Sequence, residues 1–272
     1  MRGNRRQAGS AEAAFLALLL VVFIVVSVYL FANKVWWFPE LASQRGAEVD
    51  RLFDITLVIT GIAFVLVHGA LAAFIWMFRA RGRERALYWH DSHILEFSWT
   101  TGTAVILAVL VLMGQRVWSD VYFSTPPADA VVIEVTGEQF TWHVRYPGKD
   151  GQFGAIDPKL TTNANILGLD RRDPAAKDDV VITNQIHLPI NRPARLRLRS
   201  KDVIHSVYLP HFRAKQDAVP GMTIEIWIVP DKAGQYEVLC TELCGLGHYR
   251  MKATLTVESP EAFEKWLAEQ AG

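Results

Sequence analysis

Four potential metal ligands lie within twelve residues near the C-terminal end of the chain. Cys240 and Cys244 are followed by His248 and Met251, which places two thiols, an imidazole and a thioether in one short loop. These are soft or borderline donors that suit copper, whereas magnesium and calcium prefer oxygen ligands. The residue types and their spacing therefore predict a copper site.

The second cysteine distinguishes this loop from a single-copper electron-transfer site, which uses one Cys, two His and a weak axial Met. Two thiolates that each bridge two metal ions would instead form a compact dinuclear cluster suited to rapid electron relay. The loop holds one histidine, so a second must come from elsewhere. The best candidate is His205, in the strand-like segment 202–207.

Two other functions of the cysteine pair are open on spacing alone. In an oxidising compartment Cys240 and Cys244 would form a disulfide, and they would also supply half of a zinc site. The fixed offsets of His248 and Met251, with two glycines freeing the turn, favour copper over both.

The loop has the pattern C-x-E-x-C-x-x-x-H-x-x-M, and His205 lies in a D-V-x-H-S segment. Both resemble the signature of subunit 2 of the haem-copper cytochrome c oxidases. The resemblance implies a mixed-valence dinuclear copper A centre with Cys240 and Cys244 as bridges, His205 and His248 as terminal ligands, and Met251 and the backbone carbonyl of Glu242 as weak ligands. It also implies that the Glu242 carboxylate faces a magnesium site shared with the catalytic subunit.

Two further segments resemble the family. Residues 215–221 are similar to its K-x-D-A-x-P-G segment, which lies against the catalytic subunit, and residues 95–100 are similar to its E-x-x-W-T entry to a membrane helix. The matching glutamate of the family marks the mouth of a proton-uptake path, so the resemblance assigns that position to Glu96. The alternative for this carboxylate is a helix-start role near the N-terminal dipole.

One aromatic run departs from the family pattern G-x-Q-W-x-W, whose first Trp receives the electron from cytochrome c. Here the run spans residues 137–142, and Phe140 stands at the entry position. Phenylalanine keeps a π-system but lacks the indole N–H. The resemblance assigns electron entry to Phe140 and Trp142 and implies cytochrome c as donor. The departure at Phe140 adds a membrane-attached cytochrome or a partner complex as the alternative donor, and packing inside the domain is the alternative for both rings.

Three apolar runs without charged residues precede the metal-binding part, at 13–33, 55–78 and 97–115. Each is long enough to cross a bilayer as a helix, and the latter two predict a transmembrane hairpin. Their connector at 79–85 carries four arginines, which places it in the cytoplasm by the positive-inside rule. Everything after residue 115 is then expected on the outer face.

The first apolar run has two interpretations. Residues 1–6 carry three arginines before an apolar stretch, as a secretory signal does. The apolar core is longer than that of usual signals and no clear A-x-A cleavage site follows, which favours a retained helix. Whether this segment is a retained helix or a cleaved signal, residues 34–54 are expected on the outer face.

From Tyr122 onward, short Val-, Ile- and Thr-rich segments are separated by Pro, Gly and Asp, which indicates an antiparallel β-domain. The strand candidates are 130–135, 139–146, 180–188, 194–200, 222–229, 235–240 and 252–257. Their number and length predict a cupredoxin-like Greek-key domain. A short terminal helix is expected to begin at residues 259–262.

The predicted organisation has three parts: residues 1–50 with the first membrane or signal-like segment, the transmembrane hairpin 51–120, and the periplasmic copper domain 121–272. Residues 147–179 are rich in Gly, Asp, Pro and Asn, and predict a long surface loop. Its acidic residues are expected to be solvated, with a docking patch or ion site as the alternative; they are Asp157, Asp170, Asp173, Asp178 and Asp179.

Composition limits the function classes. The 272 residues are 51% hydrophobic and carry a formal charge of zero, which gives no reason to expect nucleic acid as a partner. The two cysteines of the loop are the only ones, and without a C-x-x-C-H motif no covalent haem is expected on this chain.

The resemblance implies the electron-entry subunit of a respiratory oxidase, which accepts electrons from cytochrome c and passes them to haem in subunit 1. It would support oxygen reduction and proton pumping without reducing oxygen itself. The implied partners are subunits 1 and 3, the cytochrome donor and the bilayer of a bacterial inner membrane. A copper carrier is the other class, but carriers favour few, exposed ligands; quinol oxidase subunits of this fold lack the copper ligands.

Overall fold

The computed structural model describes residues 2–79, 88 and 90–271. Three of the described helices are long and apolar enough to cross a membrane: α1 (Arg2–Ala32), α2 (Gly46–Met77) and α3 (His93–Phe123). They confirm the three predicted spans, and each helix begins before its predicted start. Arg81, Arg83 and Arg85 of the connector, on which the predicted orientation rests, lie outside the described residues.

The helices expose apolar side chains over most of their surface. Their most hydrophobic windows have mean hydropathies of 3.0, 2.3 and 1.8, with at most 6% of any window buried. Such surface is incompatible with water and is expected in lipid. α1 contacts α2 through Phe23 and Phe64, whose ring centroids are 5.5 Å apart.

The start of α3 differs from the sequence prediction. The uncharged run begins at Phe97, but the helix begins at His93 and includes Glu96 in its first turn. The amide of Glu96 already donates to the carbonyl of Ser92 at 3.0 Å. A carboxylate is favourable in a first helical turn because it meets the positive end of the helix dipole, so the helix can begin before the apolar run.

Residues 38–50 belong to the same compact unit as residues 116–272. Ser43 forms a β-bridge with Pro230, and Ala42 is 1% exposed within the core of the β-domain. Arg213 donates to the carboxylate of Asp50 at 2.7 Å. The segment between α1 and α2 is therefore built into the β-domain.

The β-domain is a cupredoxin-like arrangement of two five-stranded sheets. One sheet has the order β3-β2-β1-β5-β8 and the other the order β4-β10-β9-β6-β7. The strands are β1 Val131–Glu138, β2 Thr141–Tyr146, β3 Val180–Thr183, β4 Gln185–Pro189, β5 Ala194–Ser200, β6 His205–Leu209, β7 Ala214–Ala218, β8 Ile224–Ile228, β9 Gly234–Cys240 and β10 Lys252–Glu258. A terminal helix, α4 (Pro260–Gln270), begins after the Ser259 cap, as predicted.

One apolar core holds the two sheets together. Alternate residues of β1 and β5 point into it, among them Ile133, Val135, Leu196 and Leu198, each at most 1% exposed. This period-2 alternation is the pattern that the sequence shows for strands with one buried face. The fold prediction of membrane helices followed by a cupredoxin-like domain is confirmed.

Three details of the strand prediction are wrong. The predicted strand 180–188 is two strands that belong to different sheets, because Asn184 adopts a left-handed backbone with φ of 57°. β7, at Ala214–Ala218, was not predicted, since its alternation is weak and polar. The domain is also not wholly antiparallel: β1 pairs with β5 and β10 with β4 in parallel, a direction that periodicity does not encode.

Residues 147–179 form a long connection with two 3-10 turns, as predicted, but four of the five acidic residues are half-buried and Asp179 is buried. Asp179 is buried rather than solvated, and its carboxylate accepts from Arg145 at 2.6 Å. Arg145 also bonds Glu134 at 3.0 Å, and Phe153 lies 4.9 Å from its guanidinium. These buried contacts attach the loop to the outer face of the first sheet.

Candidate metal centre

The predicted ligands meet where β6 and β9 lie side by side. Val207 of β6 pairs with Cys240, the last residue of β9. Because the two strands are antiparallel, His205 then lies beside the residues that follow Cys240. The amide of Thr241 donates to the carbonyl of Ser206 at 3.1 Å, which fixes the start of the ligand loop against β6.

The ligand loop, residues 241–251, closes back on the start of β10. The amide of Cys240 donates to the carbonyl of Met251 at 3.1 Å, so the first and last predicted ligands of the loop are joined at its base. A short 3-10 turn at His248–Arg250 directs the chain inward. The local folding of the loop therefore brings together residues that the sequence spaces four, four and three apart.

Five predicted side chains form one compact cluster. The sulfurs of Cys240 and Cys244 are 3.8 Å apart. Nδ1 of His205 lies 3.9 Å from the Cys240 sulfur, Nδ1 of His248 lies 3.6 Å from the Cys244 sulfur, and the Met251 sulfur lies 3.7 Å from the Cys244 sulfur. Cys240, Cys244 and His205 alone place their donor atoms within 4.8 Å of one another, as a metal ion requires.

The donor atoms fit copper better than the alternatives. A sulfur separation of 3.8 Å is far above the roughly 2.05 Å of a disulfide, and both cysteines are free. Structural zinc sites use thiolate and imidazole ligands, but the thioether of Met251 also points at the cluster and is 2% exposed. Thiolate, imidazole and thioether together are the donors that select copper.

The two thiols differ electrostatically. Burial disfavours the thiolate of Cys240, but hydrogen bonds from His205 and from nearby backbone groups outweigh burial and lower the pKa of this thiol to about 6. Burial and the neighbouring Cys240 raise the pKa of Cys244 to about 11. Two close thiolates repel each other, so a cation is needed to hold both in the ionised form.

Glu242 offers two different oxygens. Its backbone carbonyl lies 3.3 Å from the Cys240 sulfur, next to the cluster. Its side chain is exposed. The structure thus places the carbonyl with the predicted ligands and leaves the carboxylate accessible to another ion or subunit.

Phe140 is packed against the ligand loop. A Cβ atom added to Gly247 would lie only 2.4 Å from its ring, so this close approach requires glycine at position 247. The other predicted entry residue, Trp142, is fully buried, and its ring makes an edge contact with His205 at a centroid distance of 5.8 Å. Trp142 therefore contacts a predicted ligand from the core, whereas the half-buried Phe140 contacts the ligand loop through its glycine.

Glu96 is not part of this cluster. It belongs to the helical unit, its side chain is 52% exposed, and its carboxylate lies 3.8 Å from Nδ1 of His93.

Two residues bonded to the cluster were assigned no role by sequence reasoning. The side-chain amide of Gln139 donates to the carbonyl of Cys244, and the carboxylate of Asp202 lies 2.8 Å from Nε2 of His205. Gln139 belongs to the aromatic run at 137–142, and Asp202 is the first residue of the D-V-x-H-S segment. The sequence does show a carboxylate, Asp202, three residues before the candidate ligand His205. That this carboxylate bonds the His205 ring depends on the conformation of residues 201–204, which the sequence pattern does not reveal.

Comparison with known proteins agrees with the resemblance seen in the sequence. The model of the cytochrome c oxidase subunit II periplasmic domain matches residues 131–258, and the model of the subunit II transmembrane domain matches residues 32–117. The chain is 40% identical over 255 residues to the alternative cytochrome c oxidase subunit 2 of Bradyrhizobium diazoefficiens, covering 93% of this chain and 91% of the relative.

Cytochrome c oxidase subunit 2 of Cereibacter sphaeroides is 29% identical over 255 residues, covering 86% of this chain and 80% of the relative. Among solved structures, the periplasmic domain of subunit II of cytochrome oxidase of Bradyrhizobium japonicum is similar, with 29% identity, a TM-score of 0.40, and coverage of 54% of this chain and 96% of that one. From the family models and the relative at 40% identity, the chain belongs to the cytochrome c oxidase subunit II family.

Proposed function

We propose that this chain is the electron-entry subunit of a respiratory haem-copper oxidase. It accepts electrons from a reduced cytochrome c, or from a membrane-attached cytochrome, and delivers them to haem in subunit 1, where oxygen is reduced to water and protons are pumped. The observation that carries the proposal is the cluster of two thiols, two imidazoles and a thioether. Each donor atom of the cluster lies within 3.9 Å of at least one other donor atom.

The side chains of the cluster would hold two copper ions. In this proposal Cys240 and Cys244 would be the bridging ligands, His205 and His248 the terminal ligands, and Met251 a weak ligand. When bound, the copper would supply one-electron redox chemistry. His205 is 0% and Cys244 3% exposed. Such buried donors support a metal that stays bound as a cofactor, rather than one that a copper carrier releases to a partner.

Two oxygens and two rings complete the proposed site. The backbone carbonyl of Glu242 is the remaining weak copper ligand, and its exposed carboxylate faces a magnesium ion at the boundary with subunit 1. Phe140 lies on the donor side and contacts the ligand loop through Gly247. Trp142 holds the His205 ring from behind.

The proposed location is the inner membrane of a bacterium, with the β-domain on the periplasmic side, where the donor cytochrome is found. The three apolar helices support a membrane protein. Subunit 1 is the permanent partner in this proposal and subunit 3 completes the complex. Glu96, at the opposite end of α3 from the chain's exit into the β-domain, marks the mouth of the proton-uptake path.

Rapid mixing of the purified oxidase complex with reduced cytochrome c tests the proposal. The wild-type complex is expected to oxidise cytochrome c in a fast phase that His248→Asn abolishes, because one imidazole donor of the cluster is lost. His187→Asn is the matched control, since this histidine of the same domain stacks on Trp266 at 3.9 Å and is not in the cluster. A fast phase that survives in His248→Asn contradicts the proposal.

A further inference from the structure

The carboxylate of Asp202 is bonded to three groups around the candidate metal centre. Its Oδ1 lies 2.8 Å from Nε2 of His205 and accepts the amide of Val203 at 2.7 Å. Its Oδ2 accepts the amide of Gln139 at 2.7 Å. The His205 ring is fully buried and the Asp202 side chain is 27% exposed, so the bond to the ring is shielded from water.

These contacts determine which ring nitrogen of His205 is protonated and which one offers its lone pair to a metal ion beside the sulfurs. A carboxylate only accepts hydrogen bonds, so Nε2 of His205 must carry the proton that it shares with Asp202. Nδ1 is then the nitrogen with a free lone pair once the site binds a metal ion. It is also the nitrogen that points toward Cys240, at 3.9 Å from the sulfur.

Asp202 also joins the histidine to the turn between β1 and β2. Besides the amide of Gln139 that bonds Asp202, the side chain of Gln139 donates to the carbonyl of Cys244. The next residue, Phe140, packs on Gly247 of the ligand loop. One carboxylate thus connects the strand that carries His205 with the turn that contacts the rest of the loop.

We propose that Asp202 is a positioning residue of the metal centre: it holds His205 in the tautomer that presents Nδ1 to the metal, and it locks this ligand to the Gln139–Phe140 turn. The inference rests on the proposed function, because it assigns His205 as a ligand. A carboxylate partner makes an imidazole a stronger donor and fixes its orientation. The anionic partner therefore stabilises the more highly charged, oxidised form of the bound metal.

The test compares three variants in the purified full-length oxidase complex. Asp202→Ala removes the acceptor, and Asp202→Asn keeps the size and one acceptor oxygen but removes the charge. Glu138→Gln is the matched control, because it neutralises a carboxylate of the same turn that bonds His143 at 2.7 Å and Lys201 at 2.6 Å rather than a predicted ligand. The readouts are copper retention against a chelator, the reduction potential of the centre, and the pulsed-EPR signal of the remote imidazole nitrogens.

Asp202→Ala is expected to weaken copper retention about 10- to 100-fold, the usual effect of removing an outer partner of a metal-bound histidine. Both Asp202 variants should raise the reduction potential and shift the remote-nitrogen coupling of one of the two imidazoles. Glu138→Gln should leave the nitrogen coupling unchanged and move the potential less than Asp202→Asn does.

The outcomes separate this inference from the function on which it rests. A wild-type complex without a copper spectrum contradicts the proposed function. A normal wild-type spectrum with unchanged nitrogen couplings in Asp202→Asn overturns the positioning role, as does an equal rise in potential in Asp202→Asn and Glu138→Gln, which would be a general charge effect. Because Asp202→Asn preserves the side-chain volume, this variant tests the positioning role even if the Asp202→Ala complex does not assemble.

Discussion

At the scale of single residues, the predicted ligands differ in how strongly each is expected to bind copper. Cys240 and Cys244 lie 3.8 Å apart and both contact further donors, so each is shared by the whole cluster. The potential metal-binding atom of Met251 is its thioether sulfur, 3.7 Å from the Cys244 sulfur. Thiolates bind copper strongly, whereas an axial thioether tunes a site without holding it together.

Met251→Leu is therefore expected to preserve copper content and change the reduction potential, since leucine fills nearly the same volume without the thioether. Cys244→Ser should abolish the mixed-valence spectrum because a bridge is lost. Met222→Leu is the control for Met251, as Met222 is 55% exposed and outside the cluster. Potentiometry and copper analysis of the three variants check this; an intact spectrum in Cys244→Ser would contradict the assigned roles.

Four of the predicted ligands lie in one short loop, so their spacing already indicated that their side chains would be close, as the structure shows. That they bind copper stays a prediction. His205 required a second signal, the D-V-x-H-S segment, since its contact with Cys240 depends on the β6–β9 register. The bonds made by Gln139 and Asp202 depend on how three separate segments meet, which neither periodicity nor spacing encodes.

At the scale of elements, the turn between β1 and β2 supports the ligand loop. Gln139 bonds the Cys244 carbonyl, and the Phe140 ring lies where a side chain at position 247 would be. The loop is thus held from outside by a turn that is about a hundred residues earlier in the sequence. The sequence predicted Phe140 at the entry position, but not the contact between its ring and a loop glycine.

Gly247→Ala is expected to destabilise the domain by about 1–3 kcal/mol, the usual cost of inserting a methyl group into a filled space. The added Cβ would lie 2.4–2.8 Å from three atoms of the Phe140 ring, so loop or ring must move. Thermal unfolding measures the loss. Adding Phe140→Leu should restore part of the stability; if the double variant is as unstable as the sum of the single ones, the two residues are not coupled.

Two element-level errors have different physical origins. Asn184 ends β3 by adopting a left-handed conformation, which no change in hydrophobicity marks, so two strands were predicted as one. Asp179 was predicted to be solvated because acidic loop residues usually are, but Arg145 compensates its burial from another strand. Burial of a charge depends on its partner, and the partner is fixed by tertiary structure.

At the scale of the whole molecule, the proposed function assigns electron transfer and proton uptake to different parts of the chain. The candidate metal centre lies in the β-domain, whereas Glu96 lies in the first turn of α3 in the helical unit. Its side chain is 52% exposed in the described chain, which leaves the carboxylate accessible. The extension of α3 to His93 makes dipole stabilisation of this carboxylate a real competitor of the proton-path role.

Glu96→Gln is expected to slow steady-state oxygen reduction while leaving copper content and the rate of cytochrome c oxidation in the fast phase unchanged. Glutamine keeps the size and removes the titratable group. Glu48→Gln is the matched control, since Glu48 also lies in the first turn of a membrane helix, α2. Undiminished turnover in Glu96→Gln would show that this carboxylate only stabilises a helix start, and equal loss of both rates would indicate misfolding.

The most direct test of the central claim is metal analysis of the purified wild-type subunit combined with its EPR spectrum. The paired thiols with an imidazole beside each predict two copper ions per chain and a seven-line hyperfine pattern, from one unpaired electron shared equally by two copper nuclei. One copper ion per chain with a four-line pattern, or zinc in place of copper, would contradict a dinuclear copper centre in this chain.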